Sequence, residues 1–301
     1  MLRPLQRRKI RRRLAPYLLA LPALALLGLF AAGLVSGLMQ SFGYIPAFGL
    51  TRFTLDYYRG VFADAQLAAS VKLSLWISVS STLISVVLGT LLCTALVRLR
   101  KVRGFTLQTV RLPIQVPHTV VALFTLCLFS QSGLLSRILA QAGLLTSQNQ
   151  FPNLVFGSSG SGILLAYVWK ETPFVAYFVL ALMQSVSQHL DEAAATLGAS
   201  PLHTFFSVTL PLSMPAILRA GLMIFAFSFG AYELPFLLGA TSPKALPVQA
   251  YIEYIDPDLR HRPYAMALNG IILLLTLLLA AAFFLVTEHT AKKLGGDGHA
   301  T

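Results

Sequence analysis

Charge is what this sequence has least of. Only 11% of its 301 residues are Asp, Glu, Lys or Arg, less than half the roughly 25% of a soluble domain. With 56% hydrophobic residues and a mean hydropathy of +0.71, that scarcity excludes an ordinary soluble fold. The long uncharged apolar runs exclude disorder as well. Cysteine occurs twice, at Cys93 and Cys127. Each falls near an end of a different apolar run, in opposite leaflets, beyond the Cα separation of about 7 Å that a disulfide tolerates. Both are expected to stay reduced and unpaired. No Gly-x-x-x-x-Gly-Lys-Ser/Thr phosphate loop occurs, so ATP hydrolysis through that device is excluded for this chain. His-Glu-x-x-His, Gly-x-Ser-x-Gly and paired-cysteine metal patterns are missing too. The chain is therefore expected to carry no catalytic residue, no metal site and no cofactor of its own. No internal repeat is visible, and the polar tail Gly295–Thr301 is the one biased tract.

What is present is a series of apolar runs. Six of them, at about 15–39, 70–97, 109–131, 162–186, 214–240 and 264–287, approach or exceed the roughly 20 residues that cross a bilayer. The first follows a basic segment in the manner of a signal peptide. It is longer than a signal core and no Ala-x-Ala site closes it, so a retained anchor is expected. The organisation expected is a basic N-terminus (1–14), a six-span domain (15–287) and a polar C-terminal tail (288–301). Seven of the 23 basic residues precede residue 14, and four more fall in Arg98-Leu-Arg-Lys-Val-Arg103. Basic clusters that abut spans are topology signals, not a nucleic-acid footprint. With both termini inside, fifteen basic residues collect on the inner side and seven outside, as the positive-inside rule requires. The lipid bilayer is the expected surroundings and nucleic acid is not a partner.

The most informative segment is Ser187-Gln-His-Leu-Asp-Glu-Ala-Ala-Ala-Thr-Leu-Gly-Ala-Ser-Pro-Leu-His-Thr-Phe-Phe-Ser-Val-Thr-Leu-Pro211. It reads as two short helices with a break. Ser187 is placed to cap the first, whose strong formers run through Glu192-Ala-Ala-Ala195. Gly198 suits the left-handed residue that ends a helix. Ser200-Pro201 is a cap and first turn for the second helix, and Pro211 is expected to stop it. A compact elbow on the inner face, too short for an enzyme domain, points to a docking element.

This segment resembles the permease subunits of binding-protein-dependent ABC importers. Their pattern of Glu-Ala-Ala, three residues, Gly, nine residues, Ile, one residue, Leu-Pro falls here on Glu192, Ala193, Ala194, Gly198, Leu210 and Pro211, with Val208 at the Ile position. Pro113, Pro117, Trp169 and Pro173-Phe174 look like the same family. The stretch Phe227–Gly239, with Leu246-Pro-Val and Arg262-Pro-Tyr-Ala-Met-Ala267, is similar to its polyamine (spermidine/putrescine) branch. The resemblance implies an all-α type I importer permease fold (MetI-like) with six transmembrane helices and cytoplasmic termini. It implies a multi-pass protein of the bacterial cytoplasmic (inner) membrane. The partners implied are two cytoplasmic ATPase subunits, a second permease (homologous or a second copy) and an external solute-binding protein. ATP and Mg would belong to the ATPase chain. The 187–211 elbow would be the coupling helix, seated on that ATPase.

Ionisable groups inside spans cost about 2.5–3.5 kcal/mol on insertion scales, so they need partners or water. Lys170, Glu171 and Glu233 stand out. Neighbours on a helix point about 100° apart, so Lys170 and Glu171 are not expected to pair. Glu233 with Lys170 is a candidate pair, leaving Glu171 to an aqueous path. One reading puts Glu233 and Glu171 on the route of a cationic solute, with Tyr232 and Trp169 offering cation–π faces; the other makes the charges a structural seal. Pro22, Pro113, Pro117, Pro173, Pro215 and Pro235 kink or hinge the spans. His118 and Asn269 read as interhelical hydrogen-bonders. The expected solute is a polyamine. Related branches carry ferric iron, thiamine, phosphonate or sugar, and a different class, the ion-coupled secondary transporter, remains open.

Overall fold

The computed structural model describes residues 4–99, 104–196 and 198–295. Arg3, Arg100, Lys101, Arg103 and Leu197 lie outside them, as does the polar tail from residue 296. Among the described residues the regular structure is helical, joined by turns and irregular connections, with one isolated bridge, Ile45 to Leu50. The helices are α1 (Pro4–Ser41), α2 (Asp56–Ala63), α3 (Leu67–Arg98), α4 (Phe105–Gln115), α5 (His118–Phe129) and α6 (Leu134–Gln141). They continue with α7 (Ser161–Thr196), α8 (Pro201–Thr204), α9 (Leu210–Gly230), α10 (Glu233–Leu238), α11 (Leu246–Tyr254) and α12 (Arg262–Gly295). Six helical stretches are long and apolar enough to cross a membrane: Leu19–Ser41, Leu67–Arg98, His118–Gln141, Ser161–Ser185, Phe205–Gly230 and Leu259–Leu285. The expected number holds.

Two expected spans are displaced from their apolar runs. The run at 109–131 is broken between α4 and α5, because Pro117 lacks a backbone N–H and pushes Val116 to extended geometry (φ −71°, ψ 128°). The run at 214–240 ends at Gly230, where Ala231 turns extended (φ −79°, ψ 134°) before the short α10 begins. Elsewhere the sequence joins what was expected to be separate. Helix α7 passes through Ser187 without interruption to Thr196, so Ser187 lies inside a helix and not at its start, and the first elbow helix is the C-terminal end of the fourth span. Nor does Pro211 stop a helix. It sits in the first turn of α9, directly after a π-helical turn at Phe205–Thr209. That widened turn relieves the clash of a proline ring with the preceding helical carbonyl.

The chain divides into two compact units, residues 1–63 with 253–270 and residues 64–252 with 271–301. In the first, Tyr58 on α2 donates to Ser41 at the end of α1 (2.8 Å). The window of the first span is 0% buried, against 50% for the span in α7. In the second unit α3, α7 and α9 form the core. The buried face of α3 carries Ser70, Ser74, Ser78, Ser81, Ser85, Gly89 and Cys93, a run of small residues at helical spacing that lets backbones approach. At Gly89 a Cβ would lie 2.6 Å from the Val175 Cβ and 2.7 Å from the Thr172 carbonyl of α7. One apolar cluster, including Val175, Val179, Met183, Ala220 and Ile224, fills the region towards the elbow, and a second, around Tyr167, Ile77 and Leu234, fills the other end.

Candidate functional site

The break at Pro117 leaves the last carbonyls of α4 without intrahelical partners. Lys170, from α7, supplies them. Its Nζ donates to the carbonyls of Pro113 and Ile114 (3.2 Å each) and to that of Val116. A cation at a helix C-terminus is favoured by both hydrogen bonding and the helix dipole. Among the described residues Lys170 has no carboxylate partner within ion-pair distance, so the expected pair with Glu233 does not form. Backbone carbonyls, invisible in a sequence, take the charge instead.

Past the break, His118 opens α5. Its ring lies 5.1 Å from that of Phe227 on α9, and its Nδ1 is 3.7 Å from Oε2 of Glu233. Expected only as an interhelical hydrogen-bonder, His118 is thus the nearest basic group to Glu233. Glu233 starts α10, immediately after the Ala231 turn, and its side chain is 49% exposed. Beside it, the Tyr232 and Tyr251 rings stack at 4.5 Å, and Phe236 meets Tyr251 edge-on at 5.6 Å. A half-exposed carboxylate and a cluster of aromatic rings carried by the same short helix and its neighbour are groups of the kind that attract organic cations.

A cavity of about 330 Å³ lies alongside, lined by Ile114, His118, Lys170, Glu171, Phe174, Met223, Ile224 and Phe227. Its walls are mostly apolar, with His118, Lys170 and Glu171 as the polar groups. Glu171 is only 5% exposed. It faces α3, where Ser81 and Ser85 lie against its carboxyl, yet neither oxygen meets a donor in hydrogen-bond geometry. The aqueous path expected for Glu171 is therefore limited to the cavity wall. Trp169 is half-exposed and is not among the cavity residues. Of the five charged and aromatic candidates in the spans, Lys170 and Glu171 meet in the cavity. Glu233 is linked to it through His118, Tyr232 stacks on Tyr251 instead, and Trp169 stands apart.

At the elbow, Gly198 has φ +77°, and nothing lies within 4 Å of the place a Cβ would take. The left-handed backbone, not crowding, calls for glycine there. Ser200 Oγ accepts from the His203 N–H (3.3 Å), capping α8 as expected. Glu192, Ala193 and Ala194 lie on the α7 backbone, with their side chains outside the described residues. Leu210 opens α9 and packs against the apolar cluster nearer the elbow, and Pro211 is in the first turn of α9. Two features were not expected here. The Arg98 guanidinium, at the end of α3, sits 5.3 Å above the buried Phe205 ring, while the adjacent Phe206 is 62% exposed.

Residues 5–292 match the family model described as the binding-protein-dependent transport system inner membrane component. Among curated proteins, the chain is 29% identical over 232 residues to the molybdenum transport system permease protein ModB of Haemophilus influenzae, covering 75% of this chain and 96% of that one. It is 28% identical to the putrescine transport system permease protein PotI of Escherichia coli K12, covering 65% of this chain and 64% of the relative. It is also 28% identical to the sn-glycerol-3-phosphate transport system permease protein UgpA of Agrobacterium fabrum, covering 90% and 93%. Among solved structures, a bacterial ABC transporter involved in import of the acidic polysaccharide alginate superposes with a TM-score of 0.74 at 18% identity, covering 94% of this chain and 98% of that chain. That likeness concerns the fold.

Proposed function

The chain belongs to the binding-protein-dependent transport system inner membrane component family, and we propose a polyamine as its solute and a specific coupling route. It is a permease subunit of an ABC importer, a multi-pass protein of the bacterial inner membrane with the MetI-like all-helical fold. The relatives' names span molybdenum, putrescine and sn-glycerol 3-phosphate, so membership alone does not choose the solute. The observation that carries the choice is Glu233, half-exposed on the short helix α10 that also carries Phe236 of the Tyr232–Tyr251–Phe236 ring cluster. A diamine gains from both the carboxylate and the aromatic faces. The cation that an anionic solute would need, Lys170, already serves three carbonyls.

In this reading an external binding protein delivers the solute to the Glu233 side, where its ammonium group displaces His118 from the carboxylate. The solute then passes the cavity between α4, α5, α7 and α9, which a second permease completes. Two cytoplasmic ATPase chains bind and hydrolyse ATP with Mg and drive the alternation through the 187–211 elbow. Glu192, Ala193, Ala194 and Gly198 make that contact, and Leu210 and Pro211 pass it to α9. Both termini lie on the ATPase side. The test is uptake of labelled putrescine, molybdate and glycerol 3-phosphate by cells dependent on this chain. Putrescine alone is expected to enter, and Glu233→Gln should reduce its uptake at limiting concentration by about tenfold, the loss of one charge-assisted contact. Unchanged putrescine uptake in Glu233→Gln refutes the contact, and uptake of molybdate in place of putrescine refutes the solute.

A further inference from the structure

We propose that Glu171, Tyr167, Ser81 and Ser85 form a binding site for one sodium-sized monovalent cation, buried between α3 and α7. Tyr167 and Glu171 lie one turn apart on α7 and so share a face. That face meets the small-residue stripe of α3, with Ser81 and Ser85 against the Glu171 carboxyl. Tyr167 is 0% exposed and Glu171 5%. Both Glu171 oxygens, the Tyr167 hydroxyl and the Ser85 hydroxyl have no hydrogen-bond partner, and the Ser81 hydroxyl donates to the Ser78 carbonyl, leaving its lone pairs free.

Buried polar atoms that lack partners are costly, and a lone buried carboxylate most of all. Here the Glu171 and serine oxygens lie together, the Tyr167 hydroxyl belongs to the same face of α7 one turn away, and every one of these atoms is an oxygen. Oxygen-only surroundings select hard cations. The charge count sets the valence. Glu171 is the single carboxylate, and no group of three His, Cys, Asp or Glu suited to a metal occurs among the described residues. A single negative charge balances a monovalent ion and leaves a divalent one uncompensated. Lys170 is not the counter-ion, because it points elsewhere on the helix and is held by the α4 carbonyls. An organic cation is excluded by the close approach of α3 and α7 one turn further on, at Gly89. Glu171 also forms part of the cavity wall, which gives a small ion its way in.

The test is thermal unfolding of the purified full chain, with whatever subunits accompany it, in sodium chloride against choline chloride at equal ionic strength and fixed pH. Sodium is expected to raise the melting temperature saturably, by about 5 °C at a hundredfold excess over its dissociation constant. Equilibrium dialysis with radioactive sodium should find one ion per chain. Tyr167→Phe keeps the ring and its packing while removing one ligand oxygen, and should move the sodium midpoint about tenfold higher. Glu171→Gln should abolish the sodium effect. Equal melting in sodium and choline overturns the site, as does a sodium effect that survives Glu171→Gln. A melting temperature that follows pH and ignores sodium assigns the carboxyl a proton and overturns it too. Because binding is read directly, the result stands apart from the solute proposed for transport.

Discussion

At the scale of single residues, Lys170 shows how a charge in a membrane span is accommodated without an opposite charge. It converts a proline break into a capped helix end, with two carbonyls of α4 and that of Val116 just beyond it accepting from one ammonium group. Lys170→Met keeps the apolar stem and leaves those carbonyls unpaired. It should destabilise the purified chain by about 1–3 kcal/mol, with Lys170→Arg recovering part of the loss. A Met variant that melts at the wild-type temperature would mean that water serves the carbonyls equally well. Glu171 and Lys170 were both visible in the sequence as ionisable residues in an apolar run. Their partners were not, because backbone carbonyls and a serine face on a distant helix leave no mark beside them. The proximity of His118 and Glu233 was hidden for the same reason: it depends on the Pro117 break and the Ala231 turn bringing two helix starts together.

At the scale of helices, the contact between α3 and α7 depends on the missing side chain at Gly89. Gly89→Ala would place a Cβ within 2.7 Å of a backbone oxygen, and backbone yields less readily than a side-chain tip. The helices should separate, at a cost of about 1–3 kcal/mol, seen as a lower melting temperature. Gly28→Ala on α1, with nothing within 4 Å, is the control and should be neutral or slightly stabilising. Gly198 poses a different constraint. Gly198→Ala meets no obstacle but must hold φ +77°, costing about 1 kcal/mol of local strain. Transport should fall severalfold while the melting temperature of the whole chain barely moves, and an equal fall in both would make Gly198 merely structural. The apolar runs and the Gly198 stop could be read from local sequence, because hydropathy and left-handed backbone are local properties. The unbroken α7 could not, since Ser187 resembles a cap and only the continuity of strong helix formers on either side overrides it. The serine stripe on α3 was present in the sequence but dissolved into an apolar run when judged by composition alone.

At the scale of the whole molecule, the imbalance of basic residues makes an experimental claim. With both termini inside, Ser147→Cys in the α6–α7 connection should react with a membrane-impermeant maleimide added to intact cells, in a Cys127→Ser background. Ala199→Cys at the elbow should react only in inverted vesicles; the reverse pattern would invert the topology and remove the elbow from any ATPase. Six spans and the family were legible because they rest on hydropathy and on a long spaced motif. The solute was not, since the contacts that would select it come from side chains on separate helices. The unbroken course of α7 has one further consequence, best put as leverage. With the tight contact at Gly89 and Val175 as fulcrum, the arm to Thr196 is about 32 Å and the arm to Lys170 about 8 Å, at 1.5 Å per residue. A swing of about 4 Å at the elbow then arrives as roughly 1 Å at the cavity. The helix would work as a reducing gear, trading a broad stroke at the elbow for a small and forceful adjustment at the site.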